Sequence, residues 1–230
     1  MKKLITYASA PQQEVLELVK PHYQAWADAN DYQLHALTEC DVGERKPHWA
    51  KVMLLCEHLA GSEACLWIDC DFVIRTFDDV MPDLQDDDFQ GLVMEQTPHH
   101  GIGPNTGLWL LRNSREAKDF LDLVWKTGPL PDARLNDQAT IAHLLGFSYL
   151  PDYTRPLNFS PWLAGTSWLP PRWNMLEIFH PEATLIAKGL HYGGSKTDKK
   201  LWLIRRQLVQ DKLAGWQQAR QALKGEAGVP

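Results

Sequence analysis

Cysteine is scarce in this 230-residue chain: there are four, Cys40, Cys56, Cys65 and Cys70, and no two form a C-x-x-C pair. So sparse and irregular a set excludes a disulfide framework and points to reduced core thiols, which makes a cytoplasmic protein the expectation. Basic residues are in deficit. Lys and Arg number 23 against 29 Asp and Glu, and the resulting net charge of −6 repels a polyphosphate backbone, so no nucleic-acid partner is expected. Long hydrophobic runs are also missing. The longest near-apolar stretch, residues 65–74, is far shorter than a bilayer span and contains two carboxylates. Behind Lys2 and Lys3, residues 4–10 are too short and too polar for a secretory h-region and suit a first strand instead. No internal repeat or low-complexity tract appears. What is present, 44% hydrophobic and 23% charged residues, excludes intrinsic disorder and fibrous structure and predicts a single domain over 1–230 with one sizeable core.

Apolar periodicity predicts alternating elements. A strand near residues 3–8 is followed by a helix over 12–29 whose apolar face is Val15, Leu16, Leu18, Val19, Tyr23 and Trp26. Next come a strand at 32–37, a helix from about 48 to 59 ended by Gly61, and the continuous apolar run Cys65-Leu66-Trp67-Ile68. Such a run is buried on both faces, and βα alternation of this kind argues for a mostly parallel sheet. Further on, the pattern predicts strands at 89–94 and 107–111 with a loop over 97–105 between them, then helices at 114–126 and 136–145. Six prolines within 151–181 forbid long regular elements there and predict a loop-rich segment over the sheet, whose Phe159, Trp162, Leu163, Trp168, Leu169 and Trp173 require burial or a ligand.

Two carboxylates, Asp69 and Asp71, stand in the apolar run Leu66-Trp67-Ile68-Asp69-Cys70-Asp71-Phe72-Val73-Ile74. In an extended segment residues i and i+2 point the same way, so the two charges would share one side of a buried strand end while Cys70 packs on the other. Like charges in such a place repel and are poorly solvated, and a divalent cation held by hard oxygen ligands relieves both problems. A strand-end turn or capping role is the alternative. Asp86 and Asp88 repeat the spacing in a polar loop, where solvation is enough.

Three more constellations carry chemistry. Asn105-Thr106-Gly107, followed by Leu110-Leu111-Arg112-Asn113, puts a polar turn before a buried strand, although Asn105 and Gly107 serve equally as turn formers. Asn136-Asp137-Gln138 opens a helix with Ile141, Leu144 and Leu145 on its apolar face, where an acidic N-terminus satisfying its own amides is the rival explanation. His191-Tyr192-Gly193-Gly194-Ser195-Lys196 follows a strand expected at 183–187, and combines glycines that admit a close ligand with side chains suited to metal and phosphate.

Together with His48-Trp49-Ala50-Lys51 at the head of a helix, and in this order, these segments resemble a GT-A nucleotide-sugar glycosyltransferase. The resemblance is to the galactosyl/mannosyl/xylosyltransferase family that includes xyloglucan xylosyltransferases, and it spans roughly residues 48–196. It implies an α/β GT-A fold, a Rossmann-like mixed sheet flanked by helices. It also implies Mn²⁺ or Mg²⁺ as cofactor, a nucleoside diphosphate sugar (UDP-sugar first among them) as donor, and transfer with retention. On this chain it would make Asp71 and His191 metal ligands, with Asp69 touching the metal or the ribose. Lys51 and Lys196 would neutralise the diphosphate, Tyr7, Ala8 and Ser9 would lie near the base, and Asn105, Asp137 and Gln138 would line the donor sugar, Gln138 nearest the anomeric carbon. Sugar-nucleotide hydrolysis, nucleotidyl transfer and a non-catalytic sugar-nucleotide-binding role are the competing functions.

Family members commonly carry an N-terminal anchor and a luminal stem, which this sequence does not show, so the secretory location does not transfer. For the acceptor, a glycan or glycolipid, Trp162, Trp168 and Trp173 are candidates for stacking on a sugar, with core packing as the alternative, and His99 and His100 sit in a loop that could border it. From Lys196 onward eight basic residues face three acidic ones, a local charge of +5 interleaved with Trp202, Leu203, Leu208 and Trp216. That tail, helical from about 197, suits either packing on the domain or peripheral contact with anionic lipid.

Overall fold

The computed structural model describes residues 1–75, 83–97, 101–131, 133, 135–147, 160–176, 187–193 and 196–226. Strand β1 (Lys2–Tyr7) leads into helix α1 (Gln13–Ala29), and β2 (Tyr32–Leu37) returns parallel to β1. A 3-10 turn at Pro47–Trp49 opens α2 (Ala50–Leu59), after which β3 (Ala64–Ile68) lies parallel on the other side of β1. Then follow β4 (Phe72–Ile74), β5 (Gln90–Thr97), β6 (Gly101–Arg112), α3 (Arg115–Thr127) and α4 (Asn136–Leu144). The described elements end with α5 (Pro161–Ala164), β7 (Thr166–Leu169), a 3-10 turn at Pro171–Trp173, β8 (Met175–Leu176), β9 (Gly189–His191) and α6 (Thr197–Glu226).

The main sheet has the order β2-β1-β3-β6-β5-β7, and β6 is antiparallel to both of its neighbours, so the sheet is mixed. A second sheet, β4-β9-β8, stands beside it. Hydrophobic cores fill both faces of the main sheet, and β3 feeds each in turn: Leu66 and Ile68 pack with α1, Cys65 and Trp67 with α2 and α3. The continuous apolar run therefore has the two-sided burial its composition requires. Leu201, Leu203 and Ile204 of α6 enter the same core as Val15, Leu16 and Val19 of α1, so the basic tail begins as a helix packed on the sheet. No helix among the described residues is long and apolar enough to cross a membrane.

Three local expectations need correction. The Asp-x-Asp segment is not extended: β3 stops at Ile68, and the Phe72 amide donates to the Asp69 carbonyl at 3.2 Å, closing a turn that passes the chain into the second sheet. A strand could not change sheets and stay straight. Residues 101–105, expected in a loop, belong to β6, where Asn105 sits beside a bulge: residues 106–108 have no partner on β5 while Asn105 faces Val93 and Trp109 faces Leu92. Within the proline-rich segment the four residues of β7 pair parallel with β5 at the sheet edge, an element too short to show a sequence period. The strand expected at 183–187 falls largely outside the described residues, as do Phe159, His99, His100, Gly194 and Ser195.

The turn at Asp69 to Phe72 is held from below by α1. The hydroxyl of Tyr23, a fully buried residue, reaches the carbonyl oxygens of Asp69 at 2.9 Å and of Phe72 at 2.7 Å. Burial raises the Tyr23 phenol well above its ordinary value, and Cys70, Asp71 and Asp69 add to the shift, so it stays a neutral donor. Tyr23→Phe removes that donor from two carbonyls in a dry place and is expected to lower unfolding free energy by about 1–3 kcal/mol. Urea denaturation with an unchanged far-UV spectrum checks it; an unaltered midpoint refutes the clamp.

Candidate active site

The turn delivers Asp69 and Asp71 to the carboxyl end of β3, and β9 delivers His191 from the second sheet, where Phe72 and His191 pair across antiparallel strands. His191 Nε2 lies 3.6 Å from Asp69 Oδ2 and 3.3 Å from Asp71 Oδ1. The opposite oxygen of each carboxylate is held from outside. Asp69 Oδ1 accepts from Trp67 Nε1 at 2.7 Å and lies 3.2 Å from Lys51 Nζ; Asp71 Oδ2 accepts from Lys200 Nζ at 2.5 Å. Each acid thus has one oxygen fixed by a cation and one turned towards the imidazole.

This donor set fits a divalent cation. The ligating atoms of Asp69, Asp71 and His191 lie within 4.8 Å of one another, and two carboxylate oxygens with one imidazole nitrogen suit an ion such as Mn²⁺ or Mg²⁺. Burial presses the Asp71 carboxyl upward, but His191 and Lys200 outweigh it and hold Asp71 well below the usual carboxylate range. At His191, burial works against the imidazolium while Asp71, Asp69 and Glu95 favour it, with a net upward shift. A proton and a metal ion compete for that Nε2 lone pair.

Gly107 makes room for the ring. A Cβ at this position would stand 2.4 Å from His191 Cε1 and 2.6 Å from Nδ1, so no side chain fits between β6 and β9 there. The residue that reads as a turn former in the sequence is therefore a clearance for the histidine.

Lys51, on the first turn of α2, is buried, with Nζ donating to the Thr106 carbonyl at 2.9 Å and to Thr106 Oγ1 at 3.0 Å, and 3.2 Å from Asp137 Oδ2. Burial alone would push its ammonium pKa down, but Asp137 and Asp69 raise it, so Lys51 stays charged. Gln138 Oε1 accepts from the Thr106 amide at 3.2 Å. The bulge in β6 thus presents Thr106 to α2 and α4 together. Around these groups lies a cavity of about 490 Å³ lined by Tyr7, Ala8, Ser9, Lys51, Asp69, Asp71, Asp137, Gln138 and His191.

Those nine residues are ones the sequence singles out, brought to one wall from five separate stretches of chain. Two others are not on it. Asn105 is buried beside the cavity: its amide nitrogen donates to Glu95 at 2.6 Å, and its oxygen accepts from the Gly107 amide at 2.7 Å and from Asn174 at 2.9 Å. Lys196 is exposed at the start of α6, and its carbonyl accepts the amide of Lys200, the lysine that does line the cavity. Lys200 escapes sequence reasoning because it lies beyond the recognised motif, though a helix beginning near 197 puts it one turn from Lys196. Trp67 and Thr106 also gain roles that burial and turn patterns conceal. Trp162 and Trp173 fill core space, Trp162 against Phe89 and Phe120, while Trp168 stays 40% exposed; none of the three lines the cavity.

No protein-family model and no curated protein matches the sequence. Solved structures do match. A glycosyltransferase involved in the glycosylation of the major capsid of PBCV-1 gives a TM-score of 0.69 at 14% identity, over 89% of this chain and 98% of that one. The galactosyltransferase LgtC, in complex with donor and acceptor sugar analogues, gives 0.55 at 12% identity over 92% and 95%. Mouse xyloside xylosyltransferase 1 in its apo form gives 0.50 at 10% identity over 84% and 98%. These similarities establish the fold: a mixed sheet flanked by helices, the GT-A glycosyltransferase architecture.

The two lysines of α6 give a direct comparison. Titrated calorimetrically with UDP and Mn²⁺, Lys200→Ala is expected to lose at least about tenfold in affinity, and Lys196→Ala to change by less than about twofold. The reverse order would return the diphosphate contact to Lys196.

Proposed function

We propose that this protein is a divalent-metal-dependent, retaining glycosyltransferase that moves a sugar from a nucleoside diphosphate sugar, UDP-linked in the first instance, to a hydroxyl of a glycan or glycolipid. The observation that carries the proposal is the pair of carboxylates whose outer oxygens are fixed by Lys51 and Lys200 and whose inner oxygens meet His191 Nε2 at the wall of one cavity. Asp69, Asp71 and His191 would hold Mn²⁺ or Mg²⁺, which when bound supplies positive charge to the diphosphate leaving group.

The chain's own residues do the rest. Lys200, and Lys51 through its fixed charge, stabilise the negative charge that builds on the β-phosphate as the sugar departs. Tyr7, Ala8 and Ser9 flank the end of the cavity at the close of β1, where a base would sit, in keeping with ligand crevices at the carboxyl ends of strands. Asp137 and Gln138, fixed by Lys51 and Thr106, stabilise positive charge on the ring.

Among the described residues lining the cavity no carboxylate is free to act as base, since Asp69 and Asp71 face His191 and Asp137 is paired with Lys51. The acceptor hydroxyl therefore attacks the anomeric carbon from the face the diphosphate leaves. The carbon–oxygen bond breaks with its electron pair going to the phosphate, and the hydroxyl proton passes to that phosphate oxygen. On the outside of the domain, exposed Trp202 and Val209 on a basic helix extend the proposal to peripheral contact with anionic lipid, in a cytoplasmic protein.

Three measurements test the chemistry. Asp71→Asn, with the fold retained, should abolish Mn²⁺-dependent UDP binding and the release of UDP from UDP-sugars, as should a chelator; unchanged calorimetric affinity in both would refute the metal site. Gln138→Ala should lower turnover by about ten- to a hundredfold with little change in donor affinity, because its contact strengthens as charge develops. Proton NMR of the first-formed product from an α-linked donor should show an α-linkage. A β-linkage means inversion and a base elsewhere, and release of free sugar alone means hydrolysis.

A further inference from the structure

A second cavity, of about 550 Å³, lies next to the first and is lined by Val42, Glu44, Arg45, Lys46, Trp49, Pro129, Leu130, Ala133 and Asn136. The two share Asn136, and consecutive residues divide between them: Lys46 lines the second cavity and Pro47 the first. Asn136, at the start of α4, has φ +48, a left-handed conformation that asparagine tolerates better than most residues, and it forms part of the wall of both cavities.

Arg45 dominates the second cavity. Its guanidinium carbon lies 4.7 Å from the ring centre of Trp49 and 3.9 Å from that of Trp125. Such contacts use the π-face of the cation and leave the donors in the guanidinium plane to bond elsewhere. Among the described residues Arg45 forms no ion pair, and its buried Nη1 has no hydrogen-bond partner. Glu44 lines the same cavity without pairing with Arg45, and the exposed Lys46 adds a second cation at its edge. A guanidinium held on its faces by two rings, with Nη1 unfilled, suits a planar or tetrahedral oxyanion.

We propose that this cavity is a subsite for an anionic group, a carboxylate or a phosphate, carried by the acceptor that receives the sugar. The assignment rests on the glycosyl transfer proposed above. Gln138 and Asp137 mark where the donor's reacting carbon would lie, and Asn136 precedes them in the chain, so an acceptor entering over Asn136 would bring its hydroxyl to the transfer point while Arg45 holds its charge. In a protein of net charge −6, such a site selects an acidic acceptor only by a local, directed contact.

The test follows the indole N–H signals of Trp49 and Trp125 in ¹⁵N-labelled protein during additions of inorganic phosphate, D-glucuronate or methyl glucoside. The expected result is a saturable shift of both signals with phosphate, glucuronate or both, and none with the neutral glycoside. Phosphate alone means a phosphorylated acceptor, glucuronate alone an acidic sugar. Arg45→Gln should abolish the shift, and Lys46→Gln, an exposed change that leaves the core untouched, should weaken it severalfold.

Absence of saturation, an equal response to methyl glucoside, or retention of the shift in folded Arg45→Gln would overturn the subsite. If UDP-glucuronate bound more tightly than UDP-glucose in the native protein and equally in Arg45→Gln, the anion would belong to the donor, and the acceptor assignment would fall. UDP binding with Mn²⁺, measured on the same samples, separates the two proposals. Intact UDP binding without an oxyanion response refutes only the subsite, whereas an oxyanion response without UDP binding refutes the glycosyl transfer.

Discussion

Everything in the site depends on keeping two like charges close together in a poorly hydrated place. Asp69 and Asp71 are separated by one residue on a tight turn, and their mutual repulsion favours any rearrangement that parts them. Three restraints oppose that: Tyr23 binds the turn's carbonyls from α1, Lys51 and Trp67 take the outer oxygen of Asp69, and Lys200 takes the outer oxygen of Asp71. With these in place, the inner oxygens have one orientation, towards His191. The restraints come from α1, α2, β3 and α6, so the packing of these elements on the main sheet and the geometry of the site are one problem.

The second sheet follows from the same requirement. Had the chain continued straight beyond Ile68, Asp71 would have followed β3 along the main sheet. Instead the turn sends β4 to pair with β9, and that pairing sets Phe72 opposite His191 and ties the Tyr192 amide to the Asp71 carbonyl at 3.0 Å. Close approach of the strands needs residues without side chains. Gly107 clears the His191 ring, and at Gly189 a Cβ would come within 2.0 Å of Phe72 Cζ. The tail helix closes the arrangement from outside, through Lys200 at its first turn and through Arg75, whose guanidinium donates to Asp211 at 2.8 Å three turns further on.

Much of this was legible in the sequence where a single local rule decides the outcome. The helix carrying Val15, Val19, Tyr23 and Trp26, the strand at 32–37 and the two-sided burial of β3 follow from apolar period and run length alone. The cavity wall was legible in part, because Asp69, Asp71, Asp137, Gln138 and His191 sit in short motifs whose order carries information. What stayed hidden depends on pairing at a distance. Nothing near Tyr23 announces that its hydroxyl, rather than its ring alone, matters. Lys200 looks like a solvated lysine until α6 is docked. Asn105, in a polar tripeptide, gives no sign that its amide would be taken up by Glu95, Gly107 and Asn174, and β7 is too brief to reveal a strand.

A charge count links the site to the composition of the chain. Asp69, Asp71 and Asp137 contribute three negative charges to the cavity wall, and Lys51 and Lys200 return two positive ones, both already paired with carboxylates. Burial raises the Asp137 carboxyl, and the acids beside His191 outweigh its burial and raise the imidazole, so the cluster stands close to charge balance inside a protein whose overall charge is negative. Such a wall offers a diphosphate no unpaired lysine among its described residues. Further lysines would supply free charge only by leaving buried ammonium groups without partners, which costs several kcal/mol apiece. On the proposed reading a divalent cation on the inner oxygens would supply positive charge in one step, with Asp69 and Asp71 among its ligands. On the proposed reading a phosphate-bearing substrate binds together with the metal, and an anion elsewhere on the molecule needs its own cation, the part proposed for Arg45.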